Sequence, residues 1–218
     1  MRSSATEQDV RIPLDGETHL GTLGLPAQPC GLVLFAHGSG SSRLSSRNRF
    51  VADYLRREGV ATLLFDLLTE VEDRTYETRF DIDLLTHRLL GATKWVKQQP
   101  AARGHALGYF GASTGAAAAL RAAAEQGDDI RAVVSRGGRP DMAMAALARV
   151  AAPTLLIVGG HDDVVIRLNR QAYAALRAEK ELSVVPGATH LFEEPGTLEE
   201  VARQAAAWFT RHLRPPAP

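Results

Sequence analysis

Ala106-Leu107-Gly108-Tyr109-Phe110-Gly111-Ala112-Ser113-Thr114-Gly115-Ala116-Ala117-Ala118-Ala119-Leu120 decides how the chain is read. An apolar run of strand length, His105 to Phe110, leads into Gly111-Ala112-Ser113-Thr114-Gly115. An alanine-rich stretch of helix length, Ser113 to Glu125, follows. Strand, sharp turn and helix around G-x-S-x-G is the setting of a nucleophile elbow. Flanking glycines let two backbones approach there, while the serine takes strained dihedrals that lift its hydroxyl clear of the surface. The pentapeptide alone is short enough to arise as an ordinary turn in an alanine- and glycine-rich chain. The surrounding sequence has to discriminate.

Apolar strand-length runs alternate with amphipathic helix-length stretches on both sides of the elbow. Gly31 to Ala36, Val60 to Phe65, Ile130 to Ser135, Thr154 to Val158 and Leu182 to Val185 read as buried strands beside the one at His105. Helices are expected over Ser46 to Glu58, Ile82 to Gln98, Leu168 to Lys180 and Leu198 to Leu213, with Gly59, Pro100 and Gly127 as stops. Val10 to Leu14 and Thr18 to Leu25 flank Asp15-Gly16, a hairpin signal, so the chain opens on an antiparallel pair. The order predicts an α/β fold: a mostly parallel eight-stranded sheet with helices on both faces. A chain of 218 residues suits one such domain, with a core from about Val10 to Leu213. The Pro215 to Pro218 tail is expected to fray.

Composition narrows the partners. Lysine plus arginine number 25 and aspartate plus glutamate 25, and there is no long basic run. Attraction to nucleic acid or to a membrane surface is not expected, and a small molecule is. Met1 to Val10 is polar, without the apolar core of a secretory signal, and no stretch approaches a membrane span, so a cytoplasmic protein is expected. Cys30 is the single cysteine and precedes a strand, a poor setting for catalysis. Oligomeric state is left open, a homodimer being one option.

Ligands of such sheets bind beyond the carboxyl ends of the strands, which makes the residues just after each strand the candidates. His37-Gly38-Ser39-Gly40 is a glycine-rich turn able to aim N–H groups at an oxyanion, with Ser39 one donor and Thr114 the other; His37 reads as loop support. Gly159-Gly160-His161-Asp162-Asp163 supplies a carboxylate able to hold an imidazole. Spacing from Gly159 favours Asp162 over Asp163, although either could cap the next helix. Of seven histidines only His190, in Gly187-Ala188-Thr189-His190, follows the last strand, where a general base would stand.

The order Ser113, Asp162, His190, with an oxyanion loop at His37 to Gly40, resembles the α/β-hydrolases over nearly the whole chain, and within them the small dienelactone hydrolase-like proteins. The short interval between Ser135 and Thr154 leaves no room for a large cap. The name-giving enzymes carry a cysteine where this chain has Ser113, and a glutamate in the oxyanion loop where this chain has Gly38-Ser39-Gly40. The resemblance therefore implies a general carboxylic-ester or lactone hydrolase working through an acyl-enzyme, with no cofactor and no metal. A thioester, an amide or a carbon–carbon bond on the same triad stays open, and so does a non-catalytic binding module on the same scaffold.

Substrate contacts have several candidates. Arg43, Arg47, Arg49, Arg136 and Arg139 follow strands at the functional edge and could pair with a carboxylate or phosphate, or simply face solvent. Arg136, immediately beyond its strand, is the best placed. Phe192 and Leu191 could line an acyl pocket or pack on the last helix. Thr69 to Phe80 could overhang the cleft as a small lid or form a solvated loop.

Overall fold

The structure, a computed structural model, describes residues 6–214; the first five residues and the Pro215 to Pro218 tail lie outside the described residues. Its sheet has eight strands: β1 (Thr6–Leu14), β2 (Glu17–Leu25), β3 (Leu32–Ala36), β4 (Ala61–Phe65), β5 (Leu107–Ala112), β6 (Ile130–Arg136), β7 (Thr154–Gly159) and β8 (Lys180–Val185). They lie in the order β1-β2-β4-β3-β5-β6-β7-β8, with β1 and β2 antiparallel to each other, β2 antiparallel to β4, and the remaining pairs parallel. The expected architecture is therefore the observed one, and no large cap interrupts it.

β3, β4 and β5 are buried at every position, as apolar runs covered on both faces must be. On one face α2 (Ile82–Gln98) and α3 (Thr114–Gln126) enclose a core containing Leu34, Leu63, Tyr109 and Leu89. On the other, α1 (Ser46–Arg57) and α6 (Thr197–Leu213) close over Phe35, Phe110, Val134 and Phe209. Side chains of successive strand residues alternate between the two cores, the period-two geometry that sorts each strand without further signal. Each fully buried leucine or phenylalanine contributes about 1.5–3 kcal/mol relative to exposure. Ser45 and Asp81 start α1 and α2 by accepting hydrogen bonds from the N–H groups of Asn48 and Leu84.

Two expectations are corrected. The helix expected over Leu168 to Lys180 is α5, Asp163–Ala175, five residues earlier at each end. Buried Val165, Ile166, Asn169 and Ala172 set its inner face, and the residues after Leu176 are needed to reach β8. β8 itself was expected to be buried, yet only Val185 is; it is the sheet's last strand and one side of it meets solvent. A short helix, α4 (Met144–Leu147), fills part of the interval where a cap would otherwise sit.

The sheet positions the functional edge through register. Ala36 pairs with Gly111, Ala112 with Arg136, Arg136 with Ile157, and Gly159 with Val185, so the carboxyl ends of β3, β5, β6, β7 and β8 align. From β3 the chain leaves toward β4, and from β5 it leaves the opposite way toward β6. Loops that part at such a point leave a crevice between them. His37 to Gly40 and Ser113 are the two loops that do so.

Candidate active site

Ser113 stands between β5 and α3 with φ 50° and ψ −121°, a conformation that L residues rarely adopt and that costs of order 1–3 kcal/mol. Its surroundings leave no other path. A Cβ on Gly111 would overlap the backbone of Ala116, and one on Gly115 would overlap the carbonyls of Ala36 and His37. The fully buried alanines Ala116 to Ala119 serve the same closeness, because larger side chains would hold α3 off the sheet. Ser113 donates its N–H to the Arg136 carbonyl (3.2 Å), and its own carbonyl accepts from Arg139 N–H (3.1 Å). The elbow is thus pinned on both sides by the turn after β6.

Asp162 and His190 meet across the β7 and β8 loops. The His190 Nδ1–H donates to Asp162 Oδ2 at 2.6 Å. Asp162 is the N-cap of α5 but makes no capping bond, its carboxylate being turned to the imidazole, while Asp163 is exposed as the first residue of the helix. A Cβ on Gly159 would lie 2.5 Å from the carbonyls of Ala188 and Thr189, which is how closely the two loops approach. The His190 ring lies over Gly137, 3.5 Å from where a Cβ would be, and Gly137 follows the residue that holds Ser113 N–H. Serine and imidazole therefore border the same two-residue turn. No hydrogen bond joins Ser113 to His190 among the described residues; apo sites commonly tighten only around substrate.

The His37 to Gly40 turn is held from behind. His37 is 5 % exposed, its Nδ1–H donating to the Gly38 carbonyl (3.0 Å) and its Nε2 accepting from Leu67 N–H (3.0 Å). Burial lowers its pKa, and the Leu67 N–H and Gly38 carbonyl fix one neutral tautomer, which leaves no nitrogen for a base. Gly38 comes close enough to Ser113 that a Cβ there would sit 3.0 Å from Ser113 Cβ. The N–H groups of Ser39 and Thr114 are spent on no backbone hydrogen bond among the described residues. Thr114 is the first residue of α3, where the helix dipole adds positive potential. No group of three or more metal-ligating side chains occurs among the described residues.

A model of the dienelactone hydrolase family matches residues 49–213. The chain belongs to the dienelactone hydrolase family. Among solved structures, a dienelactone hydrolase from Anabaena variabilis is 52 % identical with a TM-score of 0.94, covering 97 % of this chain and all of that one. Est1E from Butyrivibrio proteoclasticus shares the fold at 16 % identity, with a TM-score of 0.78 over 94 % of this chain and 98 % of its own. Two Mycobacterium tuberculosis proteins carrying the name phosphoribosyl transferase are 55 % identical over 97 % of this chain. The chain spans about half the length of these curated relatives, 48 %. No helix among the described residues is long and apolar enough to cross a membrane.

The remaining candidates separate. Phe192, at φ 56° and 1 % exposure, is packed with Val201, Ala202 and Ala205 of α6, so it belongs to the core rather than to an acyl pocket; Leu191 beside it is exposed. Arg43 is engaged by Asp66, through its N–H at 2.7 Å and its guanidinium at 3.8 Å, beside a hollow of about 580 Å³ on the hairpin side of the oxyanion loop. Arg139 forms a two-pronged pair with Asp141, 2.8 Å for each bond. Arg136 is buried, with Nη2 3.4 Å from Asn48 Oδ1 and Nη1 without a partner. Burial, and then the charge of Arg47, pulls its pKa down to about 10, so it remains a cation at neutral pH.

Three supporting residues escape a reading by sequence alone. Glu194 accepts from both the N–H and the hydroxyl of Thr189, at 3.0 and 2.6 Å, and so hooks the turn that carries His190. Asn169 of α5 donates to the Gly138 carbonyl (3.1 Å). Arg79, clamped by Asp73, extends Nη1 to 3.6 Å from where a Cβ on Gly40 would be, which brings the Thr69 to Phe80 segment over the oxyanion loop as two short 3-10 turns. Only the Glu194 hook carries a local signal, a Thr-x4-Glu spacing beside the candidate base.

Proposed function

We propose that the chain is a serine hydrolase that cleaves carboxylic esters of small molecules through an acyl-enzyme. The observation that carries this reading is Ser113, held at φ 50° on the turn into α3, beside a turn shared with the Asp162–His190 pair. His190 takes the proton of the Ser113 hydroxyl through Nε2 as the hydroxyl attacks the ester carbonyl, and returns it to the leaving alcohol. Asp162 fixes the tautomer and stabilises the imidazolium. The N–H groups of Ser39 and Thr114 take the oxyanion, each such donor typically contributing about 3 kcal/mol to the transition state. Water, deprotonated by the same imidazole, then releases the acid. The transfer named for the Mycobacterium tuberculosis relatives belongs to proteins of which this chain spans about half. For the present chain we assign ester hydrolysis.

A series of p-nitrophenyl esters of rising acyl length tests it. The expected result is turnover with an initial burst of nitrophenol equal to the enzyme present, absent from Ser113→Ala. No turnover of any ester, or turnover undiminished in the variant, refutes the proposal.

A further inference from the structure

Three arginines are buried among the described residues, and two of them are doubly neutralised. Arg56 meets Glu7 and Asp53, and Arg88 meets Asp15 and Glu72. Arg136 meets no carboxylate among the described residues. Its single contact is the long one to the Asn48 amide, and Nη1 has no partner. A second guanidinium stands nearby: Arg47, next to Asn48 on α1, pairs through Nη1 with Glu193 at 3.1 Å but has a buried Nε without a partner. Burying a cation without a counter-charge costs several kcal/mol, and folding alone supplies no reason to keep one here.

The position supplies a reason. Arg136 ends β6, and its carbonyl is the group that holds Ser113 N–H. Gly137, directly after it, carries the His190 ring. Glu193, three residues beyond His190, is the carboxylate that reaches across to Arg47. The uncompensated charge therefore lies behind the nucleophile, between the start of α1 and the His190 turn.

Resting on the hydrolase reading, we infer that Arg136 and Arg47 form the recognition point for an oxyanion, carboxylate or phosphate, carried by the ester substrate. Glu193 occupies Arg47 while the subsite is empty. The incoming anion replaces Glu193 there and pairs with Arg136 Nη1, the buried donor that has no partner while the subsite is empty. The ligand is an ester with a negatively charged arm, and its charge is matched only when the carbonyl is delivered toward Ser113.

The test measures binding, so that it survives a failure of the hydrolase assignment. Calorimetry on Ser113→Ala protein compares monomethyl succinate, dimethyl succinate and inorganic phosphate. The monoester is expected to bind about 30-fold more tightly than the diester, the size of one charge-assisted pair. Adding Arg136→Met should abolish that preference, Arg136→Lys should retain part of it, Arg47→Ala should reduce it several-fold, and Glu193→Gln should raise it. Arg47→Ala and Glu193→Gln, both at the surface, keep the test decisive if Arg136→Met does not fold. Equal affinity for the two esters, or a preference untouched by Arg47→Ala, overturns the subsite. Phosphate binding as tightly as the monoester, with the same dependence on Arg136 and Arg47, overturns its assignment to substrate in favour of a free-anion site.

Discussion

His37 and His190 each follow a strand of the same sheet and each stands in a glycine-containing turn, yet their surroundings separate them completely. His37 is buried, and both ring nitrogens are committed to backbone groups. His190 is partly exposed; one nitrogen is committed to a carboxylate, and the other has no hydrogen-bond partner among the described residues. The first arrangement makes a histidine a neutral strut. On the proposed mechanism, the second makes it a base whose cationic form is anticipated by Asp162. What distinguishes a working imidazole from a structural one is the nitrogen left free and the charge placed behind the other.

Substitutions can break the comparison from either side. On the proposed mechanism His190→Gln should lower kcat by on the order of 10³-fold or more while leaving thermal unfolding nearly unchanged, as read by parallel ester assays and calorimetry. His37→Gln should do the reverse in emphasis. It strands the Leu67 N–H and the Gly38 carbonyl, so a loss of about 1–3 kcal/mol in stability is expected from denaturant titration, with activity falling only as the oxyanion loop loosens. Similar kcat losses from both, with equal stability, would erase the distinction.

A smaller effect tests how His190 is held. Glu194→Gln keeps one hydrogen bond to Thr189 and loses the charge, so kcat is expected to fall several-fold with KM little changed, and Glu194→Ala should fall further. A rise in KM alone would place Glu194 in substrate contact instead.

The smallest expected effect is in pH. His37 has its folded pKa depressed by burial below the ordinary 6.5, so as pH drops through 6.5 the unfolded chain binds a proton that the folded chain refuses. Stability contributed by the neutral ring is complete above 6.5 and declines toward acid, by at most ~1.4 kcal/mol per pH unit until the folded pKa is reached. Unfolding titrations at pH 7.5, 6.5 and 5.5 should show this slope in the native chain and less of it in His37→Gln. Identical slopes would mean that other groups carry it.

The same contrast explains what was legible beforehand. Strands buried on both faces read as apolar runs, which is why β3 to β7 and the parallel order were plain. β8 shows the limit: one side of it faces solvent, so its sequence, Lys180–Val185, is mixed and its first two residues carry no strand signal. The helix after β7 starts ahead of its sequence signal because its first residues, Asp163 and Val164, are exposed and carry no apolar period, and because Asp162 gives its carboxylate to His190 rather than to a cap. Ser113, Asp162 and His190 could be named because each follows its own strand. The Arg136 environment could not, since Asn48, Arg47 and Glu193 come from distant parts of the chain and no local pattern announces an arginine without a counter-charge.

The central claim is that Ser113 is an activated nucleophile, and labelling with a fluorophosphonate tests it most directly. Native protein should take up one equivalent, located by mass spectrometry on the peptide bearing Ser113, and Ser113→Ala should take up none. Native protein that remains unlabelled at neutral pH, or a label that persists in Ser113→Ala, would contradict the account.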